Sequence, residues 1–181
     1  TDPQQILIAN RKSKRDEAIR DIITDARQEE SKHSIIIAGD FNEPSHLDWV
    51  EDNKHMYDRR GAVVPWDCSV MLYGAGYRDA FRYHYPNPTT HPGFTYPSFN
   101  KDAPIEKLTW APEADERERI DYIYFKSLGN TLQLKGIQVV GPESTVRYAQ
   151  KHENDAKDLF WKPLDVWPSD HKGLLATFSI N

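Results

Sequence analysis

The sequence has a single cysteine, Cys68, and only nine glycines among 181 residues. One thiol cannot form an internal disulfide, which leaves packing to hold the fold together. No apolar run approaches the ~18 residues that a membrane-spanning helix needs. Positive charge is also scarce, since 23 lysines and arginines face 28 aspartates and glutamates. This balance argues against a protein that binds nucleic acid by bulk electrostatics, because neutralising phosphates requires a local excess of lysine and arginine.

Apolar and aromatic residues are plentiful by contrast, at 38% and 12% of the chain. This composition is typical of a globular protein, and the length predicts one domain spanning residues 1–181. The chain begins with Thr1 rather than Met and shows no apolar leader segment. We therefore expect it to be an excised piece of a longer, N-terminally truncated domain. Nothing in the composition indicates a cellular compartment.

Hydrophobic periodicity predicts the main elements. Residues 15–30 carry apolar side chains at spacings of three and four, which predicts a helix that packs one face on a core. The β-branched run at 34–39 predicts a buried central strand. Further strands are predicted at 120–125, 132–140 and 174–180. Two long polar stretches, 84–118 and 141–171, are predicted as loops, and loops of that length are usually functional.

Four basic residues stand near the start of the predicted helix: Arg11, Lys12, Lys14 and Arg15. The helix dipole would favour acids at this position. Either these side chains form a solvated turn, or they meet an anionic ligand or partner. The sequence leaves both interpretations open.

A first polar cluster, Asp40-Phe41-Asn42, directly follows the strand predicted at 34–39. Residues two apart in an extended segment point the same way, so the carboxylate and the amide should converge. A carboxylate can deprotonate a water, and an amide can donate to an oxyanion. The alternative is a turn in which both side chains cap backbone groups.

Two further clusters lie near the predicted strands at 120–125 and 174–180. Asp121 lies among apolar residues, where a buried carboxylate needs a partner, and a salt bridge with Arg119 is the structural alternative. Ser169-Asp170-His171 precedes the last strand. Histidine can donate protons near neutral pH, and aspartate is an oxygen ligand suited to Mg²⁺. A surface contact is the alternative for this pair.

A fourth cluster surrounds Arg82, and its aromatic neighbours either wall a groove or cover the core. We expect Arg82 to bind substrate. Trp167 lies next to Ser169-Asp170-His171 and is the best candidate for the rim of a site, where it would also contact substrate.

Three segments together resemble the motifs of the endonuclease/exonuclease/phosphatase family. They are IIIAGDFNEPSHLDW at 35–49, ERIDYIY at 118–124 and WPSDHKGLLATF at 167–178. YRDAFRYHYPNP at 77–88, together with GFTYPS, also resembles the abasic-site endonuclease branch. The resemblance implies an α/β (α+β) fold, namely the C-terminal part of a DNase I-like four-layer α/β/β/α sandwich with mostly antiparallel sheets.

The resemblance also implies a role for each matching residue in metal-dependent hydrolysis of a phosphate ester. Asp40 would orient and deprotonate the attacking water, and Asn42 would hold the water or a phosphoryl oxygen. Asp170 would contact the metal. His171 would stabilise the charge on phosphorus, with Asp121 orienting a catalytic histidine. Whether Asp40 or His171 is the general base stays open.

Charge supports a metal independently, because a phosphodiester and the three aspartates would repel each other without a cation. We therefore expect Mg²⁺ or Mn²⁺ as cofactor and a phosphodiesterase or nuclease type of reaction. A phosphatase or phospholipid-headgroup hydrolase is the alternative, and a non-catalytic binding module is a further one. The acidic balance favours a small-molecule, lipid or glycan-linked phosphate over long duplex DNA.

The sequence departs from the family pattern in one respect. The family supplies a metal-binding glutamate and an asparagine from strands that precede this segment, and no glutamate here matches that motif. We therefore expect the isolated chain to be inactive. Its exposed apolar sheet would be covered by the missing N-terminal half of the domain or by a second copy.

Overall fold

A computed structural model describes residues 2–162 and 165–181. The helices are α1 (Pro3–Arg11), α2 (Arg15–Ala26), α3 (Asp67–Gly74) and α4 (Ala80–His84), and short 3₁₀ turns span Glu51–Asn53 and Ile105–Lys107. The strands are β1 (Ile35–Asp40), β2 (Arg78–Asp79), β3 (Asp121–Lys126), β4 (Leu132–Val140), β5 (Thr145–Arg147), β6 (Gln150–His152), β7 (Phe160–Trp161) and β8 (Gly173–Ile180). Of the stretch predicted as a loop at 141–171, residues 163 and 164 lie outside the described part, as does Thr1.

Two three-stranded sheets and one two-stranded ribbon organise these strands. The first sheet has the antiparallel order β1-β3-β2, the second has the order β7-β4-β8, and β5 pairs with β6. Among the strands of the described residues, only the short β7 runs parallel to its neighbour. The α/β class with mostly antiparallel sheets is therefore confirmed. The four strands predicted from sequence are also confirmed, each to within about a residue of its predicted ends.

Helix α2 covers one face of the first sheet. Ile19 and Ile23 lie four residues apart on the same face, and both are buried against Leu72 of α3 and Tyr122 of β3. The helix ends at Ala26, before the predicted end at residue 30, and the chain continues in hydrogen-bonded turns. Burial of this apolar stripe supplies most of the helix stability.

The opposite face of the first sheet packs on the second sheet. Phe125 of β3 meets Phe178 of β8 edge to face, with the ring centroids 5.3 Å apart. Val139 of β4 and Phe81 of α4 are fully buried in the same cluster. Strands β4 and β8 thus present alternate apolar residues inward, as a two-sheet sandwich requires.

Strand β1 corrects one expectation, because it lies at the edge of its sheet rather than at the centre. Its only strand partner among the described residues is β3. Ile36 lies opposite Phe125, on the face of the sheet that packs on the second sheet, yet it is 50% exposed at this edge. That another segment or a second copy covers this strand stays a prediction, and sedimentation of the purified chain would reveal a second copy.

Three helices escaped prediction because they are short or lack a clear apolar stripe. Helix α3 is apolar on several sides, and α4 is only five residues long. The stretch predicted as a loop at 141–171 likewise contains three short strands. None of the helices in the described part of the chain is long and apolar enough to cross a bilayer.

A buried arginine joins strands β2 and β3 of the first sheet to the loop after β1. Arg119 is 1% exposed and donates two hydrogen bonds to Asp48, at 3.0 and 3.1 Å, and two to Asp79, at 3.0 and 2.6 Å. Its guanidinium also lies 4.6 Å from the centre of the Tyr122 ring. Asp48 belongs to the loop after β1 and Asp79 to β2, so the arginine ties both to the start of β3.

We predict that Arg119→Gln destabilises the protein by about 3–5 kcal/mol, because the buried Asp79 loses its cation and the buried Asp48 keeps only Arg82. Urea unfolding followed by circular dichroism measures this loss. Arg20→Gln is the control, since Arg20 forms an exposed pair with Asp16 at 3.5 Å, worth about 0–1 kcal/mol. Equal effects of the two substitutions would contradict the structural role of Arg119.

Candidate active site

Strand register brings two carboxylates together. In the antiparallel β1–β3 pair, Asp40 lies directly opposite Asp121, at the ends of the paired segments. Opposed residues in such a pair point to the same face, with Cβ atoms about 4.5–5.5 Å apart. Two acids 81 positions apart along the chain therefore face each other across one end of the first sheet.

The segment that leads into β8 adds an imidazole to this pair. Nδ1 of His171 lies 3.0 Å from a carboxylate oxygen of Asp121. One ligand atom from each of Asp40, Asp121 and His171 falls within 4.8 Å of the others. The side chains of His171 and Asp121 are 27% and 19% exposed, so solvent and a small ligand can reach them.

Asn42 holds Asp40 in place. The backbone N–H of Asn42 donates to Oδ1 of Asp40 at 2.7 Å, and its side-chain amide donates to Oδ2 at 2.6 Å. Asn42 adopts a left-handed backbone conformation with φ of 49°, which asparagine tolerates better than most residues. The two side chains converge, and they do so within the local turn that the sequence left as an alternative.

Two residues of the GFTYPS segment, to which the sequence assigned no role, support the acid and the imidazole. Oγ1 of Thr95 accepts hydrogen bonds from the backbone N–H groups of Ile120 and Asp121, at 3.1 and 3.2 Å. The backbone carbonyl of Thr95 accepts from the backbone N–H of Lys172 at 2.6 Å. The ring of Tyr96 lies 5.0 Å from that of His171. The GFTYPS segment includes Thr95 but did not indicate this role, because the hydrogen-bond partners of Thr95 are distant along the chain.

Burial sets the protonation of the central acid. Burial raises the pKa of Asp121, against the opposing hydrogen bonds from Thr95 and His171, and the nearby Asp40 carboxylate raises it further. With Asp121 accepting from Nδ1, the Nε2 atom of His171 is left to face a ligand.

The donor set fits a small divalent cation. The two carboxylates are oxygen ligands of the kind that Mg²⁺ and Mn²⁺ prefer, and the imidazole lies beside them. Asp170, the residue expected to contact the metal, contributes no atom to this group among the described residues. Its backbone carbonyl instead accepts from Ser98 at 2.6 Å. A metal-contacting role for the Asp170 carboxylate stays a prediction.

Trp167 lies beside the site, as its place in the sequence suggested. The indole N–H of Trp167 donates to the carbonyl of His171 at 2.7 Å. The side-chain amide of Asn100 donates to the backbone carbonyl of Trp167, also at 2.7 Å. It lines a cleft of about 340 Å³ with Phe99 and Lys151. Contact with substrate stays a prediction for this residue.

Arg82 requires a correction. The expectation that it binds substrate is not supported, because its side chain is only 3% exposed and pairs with Asp48. Its remaining guanidinium nitrogens donate to the carbonyls of Tyr85, His91 and Pro92, at 2.6–3.0 Å. A phosphate could reach this arginine only after these bonds broke. Arg82 therefore anchors a loop.

The basic residues near α2 differ in their surroundings. Arg11 forms two hydrogen bonds to Asp67, at 2.7 and 2.9 Å, and Lys14 lies 3.7 Å from Glu17. Arg15 has no carboxylate partner in the described part of the chain. Lys14 thus fits the interpretation of a solvated turn, with an exposed acid as its partner. Arg15, which has no such partner in the described residues, does not.

Comparison with known proteins assigns the chain to one family. Residues 10–171 match the sequence profile of the Endonuclease/Exonuclease/phosphatase family. An uncharacterized protein of Caenorhabditis elegans is 33% identical over 145 residues. That alignment covers 80% of this chain and 40% of the relative, so the chain spans well under half of the curated relative's length. No solved structure matches significantly.

We predict that the chain binds Mn²⁺ and that Asp40→Asn weakens the affinity at least about tenfold, because a charged ligand is lost. Isothermal titration calorimetry measures both affinities. Asp21→Asn, an exposed change on α2, is the control and should have no effect. Asp170→Asn then tests the sequence-based ligand. Unchanged affinity in Asp40→Asn would contradict a metal at this cluster.

Proposed function

The chain belongs to the endonuclease/exonuclease/phosphatase family, and from this membership we propose that it hydrolyses a phosphodiester with the help of Mg²⁺ or Mn²⁺. The observation that carries the proposal is the convergence of Asp40, Asp121 and His171 within 4.8 Å. These residues come from three separate segments of the chain. They offer a base, an orienting acid and a proton donor in one small volume.

Asp40 is the proposed base for the attacking water. Its carboxylate is exposed, and Asn42 holds both of its oxygens through two hydrogen bonds. A base that is already oriented loses little entropy when the water binds. The second hydrogen of the Asn42 amide is left to contact the water or a phosphoryl oxygen.

His171 is the proposed donor to the phosphoryl oxygen. Its Nδ1 is occupied by Asp121 at 3.0 Å, which fixes the ring and places the Nε2 atom towards the ligand. Donation from Nε2 to a phosphoryl oxygen would stabilise the negative charge that accumulates on phosphorus. Asp121 thus acts through His171.

A divalent cation would be held by the carboxylates of Asp40 and Asp121, with Asp170 as a further candidate ligand. When bound, such a cation offsets the negative charge of the phosphate and lowers the pKa of a bound water. The chain's own part is to keep the acids close together despite their mutual repulsion. Strand pairing does this, since the β1–β3 register fixes the two backbones.

We expect hydrolysis of bis(p-nitrophenyl) phosphate that stops in excess chelator and returns with added Mg²⁺ or Mn²⁺. The resemblance implies a glutamate from a preceding segment, so we expect this turnover from a longer form of the protein that carries the glutamate, and none from the 181-residue chain assayed beside it. p-Nitrophenyl phosphate and plasmid DNA are parallel substrates. Turnover of the monoester alone would favour a phosphatase, and robust turnover in chelator would refute the metal-dependent reaction.

We predict that His171→Ala, in a form of the protein that hydrolyses the diester, lowers kcat at least about 10²-fold, because the phosphoryl group loses its hydrogen-bond donor. The melting temperature should change little, since the ring is partly exposed. His33→Ala is the control, as His33 is exposed and lies 3.6 Å from Glu29. Parallel losses of stability and activity in His171→Ala would instead indicate a structural histidine.

A further inference from the structure

Arg15, at the start of α2, opens onto a cavity that it shares with the candidate base. The cavity has a volume of about 310 Å³, and its polar lining residues are Arg15, Asp40 and Asn42. Ile22 of α2 and Ile37 of β1 are among its apolar lining residues. Arg15 and Asp40 are the two ionisable residues that line it, one a cation and the other an acid.

The guanidinium of Arg15 is held in place but is far from saturated. Nη1 donates to the side-chain oxygen of Asn10 at 3.2 Å, the one hydrogen bond that its side chain makes within the described residues. The side chain is half-buried and forms no ion pair there. A charged fork with most of its donors unused is a ready partner for two oxygens of one anion.

The tether of Arg15 leads back to the site. Asn10, which binds Arg15, donates through its amide to the carboxylate of Glu43. Glu43 is 1% exposed, also accepts from the backbone of Cys68 at 2.7 Å, and directly follows Asn42 in the chain. The loop that orients Asp40 therefore also positions the arginine, through one buried side chain.

We propose that Arg15 forms an anion subsite that binds a phosphoryl group of the substrate next to Asp40, and this rests on the proposed hydrolase function. Three properties support it: a nearly unused guanidinium, a cavity shared with the base, and a tether to the loop of the site. The planar fork of arginine matches two phosphoryl oxygens, whereas the apolar lining residues offer an anion no hydrogen bond. The subsite would also reduce the repulsion between Asp40 and an anionic substrate.

Binding of inorganic phosphate to the 181-residue chain without metal tests the subsite directly. NMR titration of Arg15→Gln should give a Kd about tenfold weaker than that of the unmodified chain, and Arg15→Lys an intermediate value. Arg20→Gln lies on the same helix, removes the same charge and should change the Kd less than about twofold. An unchanged Kd in Arg15→Gln, or an equal loss in Arg20→Gln, overturns the proposal. Melting temperatures within a few degrees show that the variants are folded.

Kinetics separate the subsite from the hydrolase function. With bis(p-nitrophenyl) phosphate, a raised KM and a nearly unchanged kcat in Arg15→Gln place Arg15 on the scissile phosphate. If KM is raised only with a dinucleotide that carries a terminal phosphate, and not with bis(p-nitrophenyl) phosphate, Arg15 binds a phosphate next to the scissile one. An unchanged KM with both substrates overturns the subsite while leaving the hydrolase intact. If no turnover occurs but phosphate binding still depends on Arg15, the hydrolase function fails and the anion subsite remains.

Discussion

The buried guanidinium of Arg119 is the constraint on which the sheet beneath the site depends. A cation removed from water is tolerated only when carboxylates and hydrogen bonds replace its hydration, and here Asp48 and Asp79 provide both. The three residues come from distant parts of the chain. Because their pairing is highly directional, it fixes the start of β3 against β2 and against the loop after β1. Asp121 lies only two residues further along β3.

The site follows from this alignment, because it depends on strand register. A shift of one residue between β1 and β3 would turn one of the two acids to the other face of the sheet. In the observed register Asp40 and Asp121 are directly opposed, and Thr95 binds the backbone at Asp121 as well as the segment that carries His171. The candidate catalytic groups therefore rest on strands and on buried hydrogen bonds, which hold side chains more firmly than free loops do.

Two acids held this close repel each other, and the structure shows where that strain is accommodated. Burial and the neighbouring Asp40 raise the pKa of Asp121, whereas Asn42 takes up both oxygens of Asp40. On the other side of Asp40, the tether from Glu43 through Asn10 sets Arg15 in the shared cavity. Positive charge is therefore positioned by the same loop that carries the acid, which is consistent with a site that receives an anion.

Much of the fold and part of the site could be predicted from local patterns. Strands β1, β3, β4 and β8 follow from apolar runs, α2 follows from spacing, and the order of the motifs was sufficient to indicate the family. These features depend on residues close together in the chain. The tertiary structure alone decided the edge position of β1, the anchoring role of Arg82, the support from Thr95 and the tether of Arg15. Each of these depends on which distant side chain completes a hydrogen bond or leaves a surface uncovered, and no local periodicity encodes that choice.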